Sequence, residues 1–407
     1  MKSIKNISFS GKKVFIRVDF NVPFSSSGKI SDNSRIVAAL PTIKYILSKN
    51  GACILASHLG RPKGKTNELS LKKLVPELER LLGQNVSFVE DCVGEKTEKI
   101  CSKLDPGQVV LLENLRFYNE ETKADYQFAK NLSKLSDIYV NDAYGTTHRE
   151  HASTATIAQF FTVKCPGLLL EKEINSLKKL MGNPEKPVTA IIGGAKVSSK
   201  ISVISNMLDV VDNLLIGGGM AYTFIKKKGG SIGDSIFEEE RLKDCGKILD
   251  VVKTKKVNIC LPTDVIASNQ FSNTGTKKVL NIQDIPLGWQ GLDIGPASID
   301  KFKNIIQKSK TILWNGPMGV FEMSSFDKGT HAIAKAVAES TQNGAFSLIG
   351  GGDSVAAIKK FNLQDQVSFI STGGGAMLKG LEGKTLPGIK ALSDRVNTSS
   401  HKVINQK

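Results

Sequence analysis

The chain repeats one hydropathic phrase: four to six apolar, β-favouring residues that stop abruptly at glycine or polar residues. In the first half it reads 14-VFIRVDFNVP-23, 53-CILASHLGRP-62, 109-VVLLENLRF-117 and 138-IYVNDAYGTTHRE-150. In the second half it reads 188-VTAIIGGAK-196, 213-NLLIGGGMAY-222, 311-TILWNGPMG-319, 346-FSLIGGG-352 and 367-VSFISTGGGA-376. Amphipathic, helix-compatible stretches lie between them, such as 70–83, 238–256 and 328–341. Short buried strands alternating with helices predict parallel sheets in an α/β protein. The phrase has no fixed period, which argues against a solenoid. At 407 residues two domains are expected. The boundary is expected near 165–187, where Pro166 and Gly167 open a helix-like segment and Gly182, Asn183, Pro184 and Pro187 close it.

In open α/β sheets, ligands bind beyond the C-terminal ends of the strands. The first-half phrases end in Arg17, Asp19, Asn21, His58, Arg61, Arg116, Asp142, His148 and Arg149. The second-half phrases end in glycine clusters with Lys196, Asn315 and Asp353. One half offers side-chain cations and the other bare backbone, so two sheets with two different anion sites are expected. Four glycine clusters (193–194, 217–219, 350–352, 373–375) each follow a predicted strand, a pattern that suits a nucleotide or phosphate better than structural turns. The stretch 346–361 reads as a strand, a tight turn and a helix N-terminus, yet it is neither a P-loop nor G-x-G-x-x-G. A helix starting near Ala195 would place Lys196 and Lys200 on one face. Arginine binds phosphate and carboxylate in bidentate fashion, so Arg17, Arg35, Arg61, Arg116 and Arg149 would form a polyanion pocket if they converge. Asp353 would hold Mg²⁺ beside a nucleotide, cap the following helix, or do both. The stretch 148-HREH-151 does not have metal-site spacing, and no Ser-His-Asp order or G-x-S-x-G elbow supports nucleophilic hydrolysis.

Composition changes this picture little. Forty per cent hydrophobic and 23% charged residues suit a globular protein. The net charge of +16 raises a rival reading, a basic nucleic-acid-binding protein. Residues 1–75 hold fourteen Lys and Arg against three Asp and Glu, a net of +11. Such a patch suits a nucleic-acid backbone, a small polyanion or a solvated surface. The interleaved aromatics expected of an RNA binder are reduced there to Phe9, Phe15, Phe20, Phe24 and Tyr45, with no RNP-like pattern. A nicotinamide dehydrogenase would need G-x-G-x-x-G. Six cysteines without C-x-x-C, no N-terminal apolar signal region and no apolar run near ~20 residues point to a cytoplasmic protein with free thiols and no membrane partner.

The motifs RVDFNVP (17–23), SHLGRP (57–62), ENLRF (113–117), GGAKVSSK (193–200), GGGMAYTF (217–224), WNGPMGVFE (314–322), GGGDS (350–354) and STGGGA (371–376) together closely resemble the phosphoglycerate kinase family, over about residues 4–394. The resemblance implies an α/β fold of two Rossmann-like, doubly wound parallel-sheet domains joined by a hinge helix. The domains expected are 1–168, a hinge at 169–186, 187–384, and a segment 385–407 that returns towards the N-terminal domain and ends in a polar tail. It implies reversible, Mg²⁺-dependent phosphoryl transfer between 1,3-bisphosphoglycerate and ADP, giving 3-phosphoglycerate and ATP, by a cytoplasmic monomer that uses no nucleic acid. By motif, 3-phosphoglycerate would meet Asp19, Asn21, Arg35, His58, Arg61, Arg116 and Arg149. The nucleotide would meet Lys200, Gly291, Glu322, Gly351, Gly352, Asp353 and Ser354, with Asp353 towards the metal. Arg35, Lys196 and Gly352 would act on the transferring group. Three departures stand out: Ser199 where many relatives carry Asp, a tail beyond Asp394, and unusual basicity.

Overall fold

The structure is a computed structural model and describes residues 1–393. The chain forms two compact units, Met1–Ile174 with Thr385–Lys407, and Asn175–Lys384. The helix Leu168–Met181 carries the chain from the first to the second.

Unit one is built on a six-stranded parallel sheet of β1 (Lys13–Arg17), β2 (Ala52–Ala56), β3 (Ser87–Val89), β4 (Val109–Leu112), β5 (Ile138–Asn141) and β6 (Lys164–Pro166), in the order β3-β4-β2-β1-β5-β6. The runs ACILA, VVLL and IYVN are buried at every position, as strands covered on both faces require. Register then does the placing. Arg17, the last residue of β1, pairs with Ala56 of β2 and Asn141 of β5. The three strands therefore end level, and the segments beginning at Val18, Ser57 and Asp142 leave the sheet along one edge. The helix Ser34–Ser48 brings Arg35 in its first turn.

In unit two the main sheet comprises β7 (Val188–Ile192), β8 (Asn213–Ile216), β10 (Asn258–Cys260), β15 (Thr311–Asn315), β16 (Phe346–Ile349) and β17 (Phe369–Ile370). Its order is β10-β8-β7-β15-β16-β17. Its first strand is central and the winding reverses between β7 and β15, the doubly wound arrangement that opens a crevice at the strand ends. Again the ends are level: Ile192 pairs with Asn315 and Ile216, and Trp314 with Ile349. Gly193, Gly217, Gly316 and Gly350 follow at one edge. Trp314, Phe302, Ile191 and Leu215 fill the core beneath.

The remaining strands of this unit are β9 (Ser231–Ile232), β11 (Asp264–Ser268), β12 (Lys277–Asn281), β13 (Asp284–Ile285) and β14 (Gln290–Ile294). β11, β12 and β14 form an antiparallel sheet in the order β12-β11-β14, and β9 pairs with β13. The apolar-run pattern does not reveal this sheet, because its strands mix buried and part-buried residues with polar ones or, like β12, are largely exposed. Helix boundaries also differ from expectation. The segment 70–83 is a 3₁₀ turn, Leu71–Leu74, followed by the helix Val75–Leu82, whose second residue is Pro76. The segment 238–256 becomes the helix Leu242–Thr254 after a 3₁₀ turn at Glu239–Arg241. The helix after β7 begins at Ile201, not near Ala195, so helical spacing does not align Lys196 with Lys200. The cause lies in the glycines: Gly193 and Gly194 donate to Asn315 and Pro317 carbonyls, and Gly194 sits at φ +107°, which delays the helical turn. The tail after Asp394 lies outside the described residues.

Asp142, just after β5, is fully buried, and one carboxylate oxygen accepts from the amides of Leu169 (3.0 Å) and Leu170 (3.1 Å) at the start of the Leu168–Met181 helix. Burial pushes its pKa up to about 7, although hydrogen bonds from Thr42, Leu170 and Leu169 oppose the rise. Its folded-state value exceeds the unfolded one, so the folded state loses stability as pH rises between about 4 and 7. Asp142→Asn is always neutral and escapes this loss. Its melting temperature relative to wild type should therefore climb across that window and level off above it. A difference independent of pH would show that the carboxyl is not held protonated.

Candidate active site

At the edge of unit one, the Arg35 guanidinium spans the Asp19 carboxylate and the Asn21 carbonyl, both at 3.1 Å. The Asn21 side chain accepts from Gly60 N at 2.8 Å, which ties the loop after β1 to the loop after β2. Arg116 donates to the Gly60 carbonyl at 2.7 Å. Arg61, Arg116 and Arg149 line a cavity of about 450 Å³ with Tyr118, Asn119 and His151. All seven residues that the motifs assign to the acceptor thus belong to one edge of one sheet.

The electrostatics are those of cations awaiting an anion. Burial and the charges of Arg17 and Arg149 pull the Arg116 pKa down to about 10. Arg149 is lowered by burial and then by Arg61. Arg116 is nearly buried, yet its Nε has no hydrogen-bond partner. An orphaned buried donor calls for a ligand. His58 is driven well below its ordinary pKa by burial and then by Arg17, Arg116, Arg149 and Arg35, so it is neutral. Its Nδ1 lies 3.2 Å from Arg17 Nη2. A guanidinium only donates, so Nδ1 accepts and Nε2 carries the proton, ready to donate to an anion. The 3.9 Å approach of His58 to Asp19 is consequently not an ion pair.

Two supporting residues escaped the motif assignment. Arg17 is fully buried, donates from Nε to Ser153 Oγ at 2.8 Å and also holds the Val18 carbonyl. Its strand-end position was visible, but its orienting contact with His58 was not. Glu121, equally buried, accepts from Ser153 Oγ (2.6 Å) and Ser153 N (2.9 Å), so that Ser153 links it to Arg17. Nothing in the sequence around Glu121 marks it out.

In unit two, a cavity of about 530 Å³ opens at the edge where the winding reverses. Gly194, Gly218 and Gly219 form part of it, Tyr222, Val265, Leu292 and Met318 supply apolar wall, and Gly291, Glu322 and Asp353 complete it. Gly291 must be glycine, since a Cβ there would collide with the Tyr222 hydroxyl. β16 leads through Gly351, at φ +91°, into the helix Gly352–Lys360, with Asp353 in its first turn. The stretch 346–361 is thus the strand, tight turn and helix N-terminus foreseen. Lys200 Nζ hydrogen-bonds Asn315 Oδ1, whose Nδ2 donates to the Gly350 carbonyl at 2.7 Å. Asn315 therefore couples Lys200 to the 350–354 loop. Ser354 is buried, and its hydroxyl accepts from Gly316 N at 2.6 Å, so its side chain braces the loop and does not line the cavity. Lys196 is exposed, and it too lies outside the cavity lining, as do Lys200, Gly351 and Gly352.

Among the described residues no group of three or more His, Cys, Asp or Glu could hold a metal. A lone exposed carboxylate such as Asp353 fits Mg²⁺, which takes one or two carboxylates and fills its octahedron with phosphate oxygens and water. All six cysteines are free and buried, and among the described residues no helix is long and apolar enough to cross a membrane.

A side-chain cation cage on one α/β unit and a glycine-lined cavity at the switch point of another are features that suit a phosphotransferase. The family model for phosphoglycerate kinase matches residues 4–384. The chain is 51% identical to a cytosolic phosphoglycerate kinase of Triticum aestivum over 94% of its length and 96% of that protein. It is 48% identical to a phosphoglycerate kinase of Porphyromonas gingivalis, over 96% of this chain and 99% of that one. The solved structure of phosphoglycerate kinase from Coxiella burnetii superposes with a TM-score of 0.89 at 41% identity, covering 97% of this chain and 99% of that one. The chain belongs to the phosphoglycerate kinase family.

The Gly291 contact gives a selective test. A methyl at Gly291 meets Tyr222 inside the unit-two cavity and should raise the nucleotide KM about tenfold, the scale of overpacking by one methyl group. The KM for 3-phosphoglycerate should stay within twofold. An unchanged nucleotide KM would mean that the nucleotide lies elsewhere. For His58, the imidazole proton resonances should show no titration step near pH 6.5, whereas a step there would contradict a neutral, Arg17-bound ring.

Proposed function

We propose that this kinase catalyses reversible phosphoryl transfer from 1,3-bisphosphoglycerate to ADP, with the phosphoglycerate held at the unit-one edge and the nucleotide in the unit-two cavity. The observation that carries the reading is the cage itself: five arginines and a neutral histidine share one sheet edge, where the carboxylates Glu121 and Asp19 do not offset them and Arg116 Nε is unpartnered. A phosphorylated carboxylate satisfies such a set. Arg61, Arg116 and Arg149 suit its phosphate, and His58 Nε2, Asn21 and Asp19 suit its hydroxyl and carboxylate end.

The site contains no acid–base pair because the chemistry does not need one. In the ATP-consuming direction the nucleophile is a carboxylate that is ionised at neutral pH, so no proton has to be removed. What remains is orientation and stabilisation of charge on the transferring oxygens. Arg35 on one unit and Lys196 on the other are assigned to that charge. The amides at Gly351 and Gly352 receive nucleotide phosphate at a helix N-terminus. Asp353 would hold Mg²⁺, whose role is to neutralise the phosphate oxygens. Because the ligands load on different units, the reacting atoms must be brought to about 3–3.5 Å for in-line transfer, and the Leu168–Met181 helix is assigned as the hinge. The protein is assigned as a cytoplasmic monomer.

A coupled assay for ATP formation from 1,3-bisphosphoglycerate, ADP and Mg²⁺ tests the reading directly. Lys196→Ala should lower kcat on the order of 10²-fold or more with both KM values little changed, as expected for a group that acts in the transition state. A change confined to the nucleotide KM would make Lys196 an ordinary binding residue.

A further inference from the structure

The turn that presents Lys196 is held from outside itself. After Gly194 the chain does not enter a helix until Ile201. Within the turn, Ser199 Oγ donates to the Lys196 carbonyl at 2.9 Å, and Lys200 N donates to the Val197 carbonyl at 2.8 Å. Those bonds close the turn but do not fix it to the body of the unit. Gly194 N on Pro317 O (3.0 Å) anchors the upstream end, and Lys200 Nζ on Asn315 Oδ1 anchors the downstream end. The middle is anchored by Glu238, forty residues away. One carboxylate oxygen accepts from Ser198 Oγ at 2.6 Å and the other from Ser198 N at 2.9 Å. Glu238 is itself fixed, since its N–H donates to Thr223 Oγ1 at 3.1 Å, and Thr223 is buried in the helix Met220–Lys227.

A carboxylate that accepts from both the hydroxyl and the amide of one residue orients that peptide as a cap orients a helix start, only from a distant segment. Glu238 is not itself among the residues that line the glycine cavity; its contacts are with the lysine-bearing turn and the helix behind it. Given the role assigned to Lys196 above, we propose that Glu238 is a positioning residue for phosphoryl transfer: it clamps the 196–199 turn so that the Lys196 ammonium is presented to the transferring group.

The test is a double-mutant cycle read in kcat, using the full chain. Glu238→Ala should lower kcat about tenfold while the 3-phosphoglycerate KM stays within twofold, and in a Lys196→Ala background the same change should cost less than about twofold, because neighbours acting as one unit are non-additive. Glu238→Gln should recover most of the loss, since its amide oxygen accepts from the Ser198 amide and its NH₂ donates to Ser198 Oγ. Ser198→Ala removes the 2.6 Å bond alone and should give a smaller loss that likewise disappears without Lys196. It carries the test if Glu238→Ala does not fold. An equal fold-loss with and without Lys196, or an unchanged kcat, would overturn the proposal. Near-normal kcat in Lys196→Ala alone would instead overturn the role of Lys196, so the two failures are distinguishable.

Discussion

Arg17 ends the central strand of unit one with no carboxylate among its hydrogen-bond partners: it holds Ser153, the Val18 carbonyl and His58. Placing a fully buried guanidinium there, within influence of Arg116 and Arg149, accumulates like charge at a low-dielectric edge. The rest of the site follows from that constraint. His58 has to be neutral, and its tautomer is set by the guanidinium that faces it. Arg116 and Arg149 are depressed by their neighbours and by burial. Glu121 sits behind Ser153, close enough to temper the charge but not to neutralise the ligand-facing groups. A polyanion that enters this edge relieves the repulsion and supplies the missing partners together, so binding energy and specificity have one source.

On the proposed function, unit two meets its phosphates by a different physical route. Level strand ends place Gly193, Gly217, Gly316 and Gly350 in a row, where side chains would obstruct: a Cβ at Gly193 or Gly316 would strike the backbone opposite. Bare amides and a helix N-terminus then do what arginines do in the first unit. Backbone suits the nucleotide phosphates because its donors are fixed by the fold and cost no side-chain entropy. Asn315, bridging Lys200 and the Gly350 carbonyl, joins the two loops so that the lysine and the glycine turn move as one piece.

Much of this was legible from residues alone. The buried runs at 53–56, 109–112 and 138–141 announced parallel strands, and their abrupt polar ends marked the sheet edge at which the charged side chains gather. The glycine clusters pointed to phosphate before any motif was matched. What escaped has definite causes. The antiparallel sheet of β11, β12 and β14 has part-buried or largely exposed strands that contain no long apolar run. The start of the helix at Ile201 depends on hydrogen bonds from Gly193 and Gly194 to a strand more than a hundred residues away. The bond by which the Ser354 hydroxyl accepts from Gly316 N, tying the GGGDS loop to the turn after β15, is likewise invisible in the local sequence. Glu121 and Glu238 act through contacts that no local pattern encodes.

If the unit-one cage is a set of mutually repelling cations that an acceptor anion satisfies, Arg149 is the place to test it, being half-exposed and, among the described residues, hydrogen-bonded through its side chain to His148 alone. The measurement is the melting temperature of Arg149→Ala, without and with saturating 3-phosphoglycerate. The account predicts an unliganded protein at least as stable as wild type, because one repelling charge is gone, and a ligand-induced rise that is largely lost. A variant several degrees less stable when unliganded, yet still raised as much by 3-phosphoglycerate, would show that Arg149 is structural and that the cage is not where the acceptor binds.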